Sequence, residues 1–387
     1  MSKHVIVVGG GIIGTSAAYY LSKSGMKVTL VEGKDIAAGT SSACDQAIML
    51  QSKRPGPTLD IALESAKLYS RLEEELGEDL EYKKGGGMIV IETMKELEAM
   101  KQLVERQQKA GMDVRLISGE EARERQPGLS EHIIGATWYE HDAEVNPLRV
   151  CFAMAKAAKR NGAAIRTKAK VTGLLAENDR IVGVDLAGEK LYADRVVLTT
   201  GVWTPFLLKP IGIHIPIIPR KGQILVSERM EPFISCNVLA AAYIANKMNP
   251  KKGEDPEQPK SAGLSLGQTH SGTLLIGGSR EFAGYDVNTN ARLTKEIAKD
   301  AIRIFPVLAK THIIRTFAGL RPYTPDGMPI IGKVEEIEGL YIAAGHEGDG
   351  IALAPITGKI IANLIDGVKM NVDISLFSPN RFTNMVV

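Results

Sequence analysis

The 387-residue sequence has little cysteine, few aromatic residues and almost no charge imbalance. Its three cysteines, Cys44, Cys151 and Cys236, lie far apart and form no CxxC pair, which argues against a disulfide framework and against a zinc site. Lysine and arginine total 47 against 45 acidic residues, without a long block of one sign, so the basic footprint typical of nucleic-acid binding is missing. These absences predict a cytoplasmic protein with no nucleic-acid partner and no metal site.

One long uncharged run, residues 5–22, has the length of a membrane-spanning helix. It contains Gly9, Gly10, Gly11 and Gly14, each of which would weaken a helix by about 0.8–1 kcal/mol relative to alanine. The run also lacks the charged leading segment and the cleavage site of a signal peptide. We therefore predict a turn between a strand and a helix, and no integral membrane segment.

The first 32 residues predict a βαβ unit, with strands at His4–Val8 and Lys27–Glu32 and a helix at Ile13–Ser24. Four further segments have the apolar spacing and end signals of helices, namely Thr58–Leu76, Lys95–Ala110, Pro147–Asn161 and Ile351–Ile365. Others have strand length and β-branched content, namely Met88–Glu92, Ile181–Leu186, Arg195–Thr199, Gln223–Val226 and Leu274–Gly277. This order predicts a parallel nucleotide-binding sheet interrupted by an insertion with a more antiparallel sheet.

The chain length indicates two domains, or one large and one small domain. The strongest polar interruption is Asn246–Lys260, whose prolines and charges predict a mobile surface excursion. This segment could be a lid, a partner contact or a plain loop.

The most specific local motif is Gly9-x-Gly11-x-x-Gly14, which follows a predicted strand and opens a predicted helix. The first glycine allows a tight turn, the second lets the main chain approach a pyrophosphate, and the third permits close helix–strand packing. Glu32 ends the next strand 18 residues after Gly14 and would accept hydrogen bonds from ribose hydroxyls. The motif indicates a dinucleotide without distinguishing FAD from NAD.

Further glycine-bearing elements favour a long cofactor. Gly39–Ser42 follows Glu32 closely and offers small residues and hydroxyls. Val196–Gly201 is a predicted strand that ends in a glycine before Trp203, and Gly345–Gly350 precedes an apolar helix. These elements suit a cofactor that the main chain approaches along its length.

Seven motifs occur in order, namely VIVVGGGIIG with Glu32, GTSSA at 39–43, DAEVNP at 142–147, VVLTTGVW at 196–203, PRKGQ at 219–223, GLRPYTPDGMPIIG at 319–332 and AAGHEGDGIALAPITG at 343–358. Through them the sequence resembles the FAD-dependent glycine oxidase/D-amino-acid oxidase (DAO) superfamily. It looks nearest to sarcosine oxidases and to the flavin-bearing β subunits of multi-subunit amino-acid dehydrogenases. The resemblance implies an α/β fold with a discontinuous Rossmann-like FAD-binding domain (1–82, 147–212 and 312–387). It also implies an inserted α+β substrate domain (83–146 and 213–311) containing a mixed, largely antiparallel sheet.

The resemblance further implies one FAD, bound non-covalently. Monomeric sarcosine oxidases attach flavin through a cysteine, whereas the corresponding position here is near Leu320. Val171 is expected in a strand after Lys170, where its main chain would meet the adenine. Carried over residue by residue, the expected FAD contacts are Gly9, Gly11, Ile12, Ile13, Gly14, Glu32, Gly33, Thr40, Ser41, Ser42, Val171, Gly201, Trp203, Gly348, Gly350 and Ile351.

In the resemblance, Arg321 of the GLRP motif binds the substrate carboxylate, for which a planar guanidinium offers two parallel hydrogen bonds. The implied reaction is oxidation of the C–N bond of a small amino acid or N-substituted amino acid, of glycine, sarcosine, D-amino acid, proline/hydroxyproline or opine type. Hydride transfer to flavin N5 would give an imine that hydrolyses. Asp326 is expected to order the turn before Gly327. Glycine oxidases carry an arginine in the loop that here contains Glu347 and Asp349, so their substrate preference is not transferred.

The expected electron acceptor is another subunit rather than oxygen. Sarcosine oxidases use a lysine near the flavin to help oxygen capture an electron, but this chain has Leu275 near that position and no lysine between Lys260 and Lys295. The segment Cys44–Gln46 and the HEGDG loop also look more like the multi-subunit dehydrogenase branch. We therefore expect a hetero-oligomer with other electron-transfer subunits, or a homo-oligomer. The alternatives are a self-sufficient, peroxide-forming oxidase, an FAD electron-transfer subunit without its own amino-acid chemistry, and an NAD-dependent dehydrogenase.

Overall fold

The computed structural model describes residues 3–248, 263–370 and 372–382. Within them the α-helices are α1 (Ile12–Lys23), α2 (Pro57–Tyr69), α3 (Leu72–Leu76), α4 (Met94–Lys109), α5 (Gly119–Arg125), α6 (Pro147–Arg160), α7 (Thr204–Leu208), α8 (Ala241–Met248), α9 (Ala291–Ile304) and α10 (Gly350–Asp366). The strands are β1 (His4–Val8), β2 (Lys27–Val31), β3 (Ala47–Ile48), β4 (Gly87–Ile91), β5 (Arg115–Ser118), β6 (Gly135–Tyr139), β7 (Ala143–Glu144), β8 (Ala164–Arg166), β9 (Gly173–Glu177), β10 (Arg180–Leu186), β11 (Glu189–Tyr192), β12 (Arg195–Leu198), β13 (Ile218–Arg229), β14 (Asn237–Ala240), β15 (Ser265–Gln268), β16 (Thr273–Gly277), β17 (Ile313–Tyr323), β18 (Ile330–Lys333) and β19 (Leu340–Ala344).

One sheet has six strands in the order β18-β19-β12-β1-β2-β8. Strand β1 pairs in parallel with both β2 and β12, and β18 forms an antiparallel edge. Because successive side chains of a strand point to opposite faces, Val5 and Val7 pack with residues of α1, α6 and α10. Ile6 and Val8 pack instead toward the three-stranded sheet β11-β10-β9. The predicted βαβ unit is therefore confirmed, with its first strand buried on both faces.

A second sheet has eight strands in the order β17-β13-β16-β15-β14-β4-β6-β5. Neighbouring strands are antiparallel except for the parallel pair β14 and β4. Apolar side chains of α4, α8 and α9 share its core. The long pairing of β13 with β17 places Arg220 directly opposite Arg321. The expected mixed, largely antiparallel sheet is confirmed, whereas the boundaries of the two domains stay a prediction.

Two local predictions are wrong. The expected helix Thr58–Leu76 is divided into α2 and α3, and the hydroxyl of Ser70 bonds to the carbonyl of Lys67 at the break, in competition with helical hydrogen bonding. Val171 lies between β8 and β9 rather than in a strand. There the Ala169 N–H donates to the carbonyl oxygen of Glu32, so the chain turns beside β2 instead of extending β8.

The other four predicted helices are confirmed, whereas the predicted polar excursion lies mostly outside the described residues. The predicted helices that correspond to α1, α4, α6 and α10 agree with the structure to within one residue at each end. Most of the expected excursion Asn246–Lys260, from residue 249 onward, lies outside the described residues. In the described ranges, every helix is too short or too polar to cross a lipid bilayer.

Candidate active site

A cavity of about 640 Å³ extends from the carboxyl ends of β1, β2 and β12 to strands β13 and β17 of the eight-stranded sheet. The chain therefore brings the predicted cofactor segments and the predicted substrate residue to one continuous space. The predicted residues in its lining are Gly9, Gly11, Ile12, Ile13, Glu32, Gly33, Thr40, Ser41, Val171, Gly201, Trp203, Arg321, Gly348, Gly350 and Ile351.

Two of the predicted cofactor contacts, Gly14 and Ser42, do not line the cavity. A Cβ atom on Gly14 would lie 1.8 Å from the carbonyl oxygen of Gly9, so this glycine permits α1 to lie close to the end of β1. Ser42 is exposed, and its hydroxyl donates to the carbonyl of Gly39 at 3.1 Å. Gly14 therefore serves helix packing, and the Ser42 side chain serves its local turn.

The amino terminus of α1 lies at the cavity, where the turn after β1 is fixed by several hydrogen bonds. The Gly9 N–H donates to the carbonyl of Val31 at 2.8 Å, and the Thr199 hydroxyl donates to the carbonyls of Val8 and Gly9. The first N–H groups of a helix have no intrahelical acceptors, and the helix dipole adds positive potential at that end. This arrangement suits a phosphate group.

Glu32 lies at the end of β2 and also lines the cavity. Its Oε2 accepts a 2.6 Å hydrogen bond from the Gly10 N–H, and its Oε1 accepts a 2.7 Å bond from the Lys34 N–H. The carboxylate is therefore held rigidly beside the glycine turn. Because a carboxylate has about four acceptor sites, it keeps the capacity to accept hydrogen bonds from ribose hydroxyls.

The amino terminus of a second helix, α10, lies at the same cavity through Gly350 and Ile351. Its N-cap residue, Asp349, makes no side-chain cap and instead pairs with the buried Lys53 at 3.0 Å. These donors fit FAD: the terminus of α1 suits the pyrophosphate, Glu32 suits the ribose, and the positive end of α10 suits the negative charge of a reduced flavin.

Arg321 lies on β17 at the other end of the cavity and is partly buried. Its Nη1 donates a 3.1 Å hydrogen bond to the carbonyl of Ser279. The guanidinium lies against the backbone of Gly222 on β13, where an added Cβ atom would come within 2.1 Å of Nη1. One side of this arginine is therefore fixed by the protein, and the rest of its planar group can bind an anion.

Glu347 is a buried carboxylate in the lining beside Arg321. Its Oε1 accepts a 2.6 Å hydrogen bond from Arg280 and lies 3.6 Å from Arg220, while its Oε2 accepts from the Gly348 N–H. Burial lowers the pKa of Arg220, and Arg280 and Arg321 lower it further, against the opposing effect of Glu347. Two guanidinium groups, those of Arg220 and Arg280, share this one carboxylate, and Arg321 adds a third positive charge to the same region, so this end of the cavity favours anionic groups.

His346 is also buried, with its Nε2 3.0 Å from the hydroxyl of Thr357. Burial lowers the pKa of His346 to about 4, although Asp349 opposes the shift. The imidazole is therefore neutral in the folded protein at neutral pH.

This shifted pKa predicts an acid-sensitive fold. Between pH 6.5 and about 4 the unfolded chain protonates His346 while the folded chain does not, so stability is lost as the pH falls. We expect the wild type to lose about 2–3 kcal/mol more than His346→Gln between pH 7.5 and 4.5. Urea unfolding at the two pH values measures this difference. Equal losses in the two proteins would contradict the assignment.

Asp326 lies outside the cavity lining. Its Oδ1 accepts from the Met328 N–H at 3.1 Å, and its Oδ2 accepts a 2.7 Å bond from Arg381. These contacts agree with the predicted role of Asp326 in ordering a turn.

Other residues at the substrate end were not predicted from the sequence, namely Gly222, Tyr243 and the pair Arg220 and Arg280. Arg220 and Gly222 belong to the PRKGQ motif, and the pairing of that motif with GLRP is the signal that could have located them. Tyr243 lines the cavity from α8, and the Arg280 guanidinium lies 4.6 Å from the centre of its ring. Neither Tyr243 nor Arg280 belongs to a sequence motif that would have predicted its place at the cavity.

Comparisons with known proteins show the family to which the chain belongs. The DAO family, described as FAD dependent oxidoreductase, matches residues 4–364. The hydrogen cyanide synthase subunit HcnC of Pseudomonas aeruginosa is 30% identical in an alignment that spans 422 residues with its gaps. This alignment covers 98% of this chain and 96% of that protein. The glycine oxidase of Bacillus subtilis is 30% identical over 384 residues, which cover 96% of each protein. The crystal structure of L-proline dehydrogenase from P. horikoshii is similar at a TM-score of 0.89 and 29% identity, and the match covers 99% of this chain and 98% of that one. The chain therefore belongs to the DAO family of FAD-dependent oxidoreductases.

Proposed function

We propose that this protein oxidises the C–N bond of a small amino acid or N-substituted amino acid. The observation that carries the proposal is the Arg321 guanidinium, which lines the cavity and is held from one side by Ser279 and Gly222. Such a group can bind a carboxylate through two parallel hydrogen bonds. Relatives named for glycine and for L-proline support an amino acid as the substrate.

FAD, when bound without a covalent link, would supply the two-electron redox chemistry. Arg321 would hold the substrate carboxylate, and the positive charges of Arg220 and Arg280 behind it would strengthen anion binding. The amino terminus of α10 would stabilise negative charge that develops during the reaction. The substrate amine would react in its neutral form, so no side chain need act as a strong base. Positioning and electrostatics are therefore the protein's main contribution.

The proposal is tested by anaerobic bleaching of the flavin with glycine, sarcosine, D-amino acids, prolines and opines. Rapid bleaching by one class, with the others inert, would identify the substrate. The competing function is an FAD electron-transfer subunit without amino-acid chemistry. Flavin that dithionite reduces but no amino acid reduces would favour that function and overturn the proposal. Acid precipitation of the same sample should release the flavin, because Leu320 stands near the position where sarcosine oxidases carry their attachment cysteine.

We also propose that the reduced protein passes electrons to a partner subunit faster than to oxygen. The lysines in the cavity lining, Lys34 and Lys170, lie with Glu32 at the glycine-turn end, and Leu275 occupies β16 in the eight-stranded sheet. In the part of the chain that the structure describes, no lysine lines the substrate end to take the role that a lysine near the flavin has in sarcosine oxidases. The relative HcnC is itself named as a subunit, which supports a multi-subunit assembly.

Stopped-flow mixing of the reduced protein with air-saturated buffer tests the electron acceptor. We expect reoxidation to be slow and to accelerate when an artificial dye is added. Reoxidation as fast as turnover, with one hydrogen peroxide formed for each substrate, would instead show a self-sufficient oxidase.

A further inference from the structure

Asp45 is a carboxylate in the cavity lining that the proposed function does not use. It follows the turn at Thr40–Ser42, in the segment that runs from the cofactor end of the cavity. Its Oδ2 accepts a 3.2 Å hydrogen bond from the Ser265 hydroxyl, and its Oδ1 accepts a 3.3 Å bond from the Ala47 N–H. Ser265 lies on β15, so Asp45 connects the cofactor segment to the eight-stranded sheet.

The strand register places this contact next to the cavity. Ser265 is paired with Gly277 on β16, and Gly277 is paired in turn with Ile224 on β13. Ile224 lines the cavity, and Gly277 adds no side chain between it and Ser265. The Asp45 carboxylate therefore lies at the part of the cavity formed by the eight-stranded sheet, where Arg321 also lies.

Asp45 and Glu347 differ in their partners. Glu347 is hydrogen bonded by Arg280 and by the Gly348 N–H. Asp45 has no lysine, arginine or histidine nitrogen within 4.0 Å among the residues that the structure describes, and its two hydrogen bonds are both long. Because a carboxylate has about four acceptor sites, Asp45 can accept a hydrogen bond from a further donor. Such a donor would stabilise the negative charge of Asp45 in the cavity.

Cys44, Asp45 and Arg321 all line the cavity. Burial raises the pKa of the Cys44 thiol, Asp45 raises it further, and Arg321 lowers it. The Asp45 carboxylate and the Arg321 guanidinium do not form a salt bridge with each other, so their oxygen and nitrogen atoms are more than 4.0 Å apart. The cavity lining thus presents both an anion and a cation. An amino acid carries the complementary groups, a carboxylate and an amino nitrogen, on one carbon.

We propose that Asp45 accepts a hydrogen bond from the amino nitrogen of the substrate while Arg321 binds its carboxylate. Asp45 is then a specificity-determining residue that selects amino acids over carboxylic acids of the same shape. The inference rests on the proposed function, because it names the group that recognises the second part of the same substrate.

The test compares two ligands that have no α-hydrogen and cannot reduce the flavin: 2-aminoisobutyrate, and 2,2-dimethylpropanoate, in which a methyl group replaces the amino group. Binding to the FAD-loaded protein is followed by the perturbation of the flavin absorbance. We expect the wild type to bind the amino ligand at least about tenfold more tightly, as one charge-assisted hydrogen bond allows. Asp45→Ala should remove this preference while keeping the affinity for 2,2-dimethylpropanoate. Asp45→Asn, which keeps an acceptor oxygen, should give an intermediate preference.

Asp326→Asn is the matched control, because it neutralises an aspartate that lies outside the cavity, and it should keep the wild-type preference. An unchanged preference in Asp45→Ala would overturn the role of Asp45. Loss of flavin from Asp45→Ala, with the ligand preference intact in the remaining holoenzyme, would assign Asp45 to the cofactor and overturn it as well. If, with either of these two results for Asp45→Ala, Arg321→Ala still weakens the binding of both ligands, the proposed function stands without the inference. If neither ligand binds the wild type although an amino acid bleaches the flavin, the proposed function stands and the inference is overturned; if no amino acid bleaches the flavin, both fail.

Discussion

Arg321→Ala is expected to leave FAD bound but to slow flavin reduction by the substrate at least about 100-fold. The substitution removes the charged partner of the carboxylate and the group that aligns the substrate in the cavity. The glycine turn, Glu32 and the amino terminus of α10 are untouched, so the flavin content should match that of the wild type. Anaerobic stopped-flow absorbance, with the substrate identified by bleaching, measures the reduction rate at several substrate concentrations.

Arg321→Lys separates charge from geometry in the same experiment. A lysine ammonium keeps the positive charge but cannot reproduce the planar pair of donors, so it should restore only part of the rate. Near-normal reduction in Arg321→Ala would show that the carboxylate binds elsewhere. Full recovery in Arg321→Lys would show that the charge alone matters and that the bidentate arrangement is unnecessary.

The cofactor end of this molecule could be predicted from the sequence because its chemistry depends on local order. The turn after β1, the helix α1 and the acid at the end of β2 lie within 32 consecutive residues, and each residue type has a backbone reason for its position. Gly14 illustrates this, because any side chain there would collide with the carbonyl of Gly9. Local spacing was therefore enough to place α1 within one residue.

The substrate end could be predicted only in part, because it depends on contacts between distant segments. Arg321 was expected from the GLRP motif, but its support by Gly222 requires the register of β13 against β17. The contact of Asp45 with Ser265 joins residues separated by 220 positions. A single sequence gives no register for such pairings. The same lack of tertiary information explains why Val171 was wrongly predicted to lie in a strand. In the structure, the segment before Val171 is held by backbone hydrogen bonds to residues at the end of β2.

Gly222→Ala is expected to reproduce much of the Arg321→Ala defect without removing a functional group. Its Cβ atom would lie 2.1 Å from Arg321 Nη1 and 2.5 Å from Cζ, so the guanidinium must move. The arginine side chain is flexible and can yield more readily than the paired strands, so the fold and the bound FAD should remain. We expect flavin reduction to slow by about 10–100-fold, because small misplacements of aligned groups have effects of this size. Gly173→Ala on β9 is the control, since its Cβ atom would make only an ordinary 3.9 Å contact with Asp185.

A double variant distinguishes displacement of Arg321 from general damage to the sheet. If Gly222→Ala acts by moving the guanidinium, it should have little further effect once Arg321 is alanine, because the displaced group is already absent. The two substitutions would then be strongly non-additive in flavin reduction. Additive losses would mean that the methyl group at position 222 disturbs the cavity by another route, such as a shift of β13 against β17. Because Gly222 and Arg321 lie on adjacent strands, non-additivity would also show that the strand register positions the substrate-binding arginine.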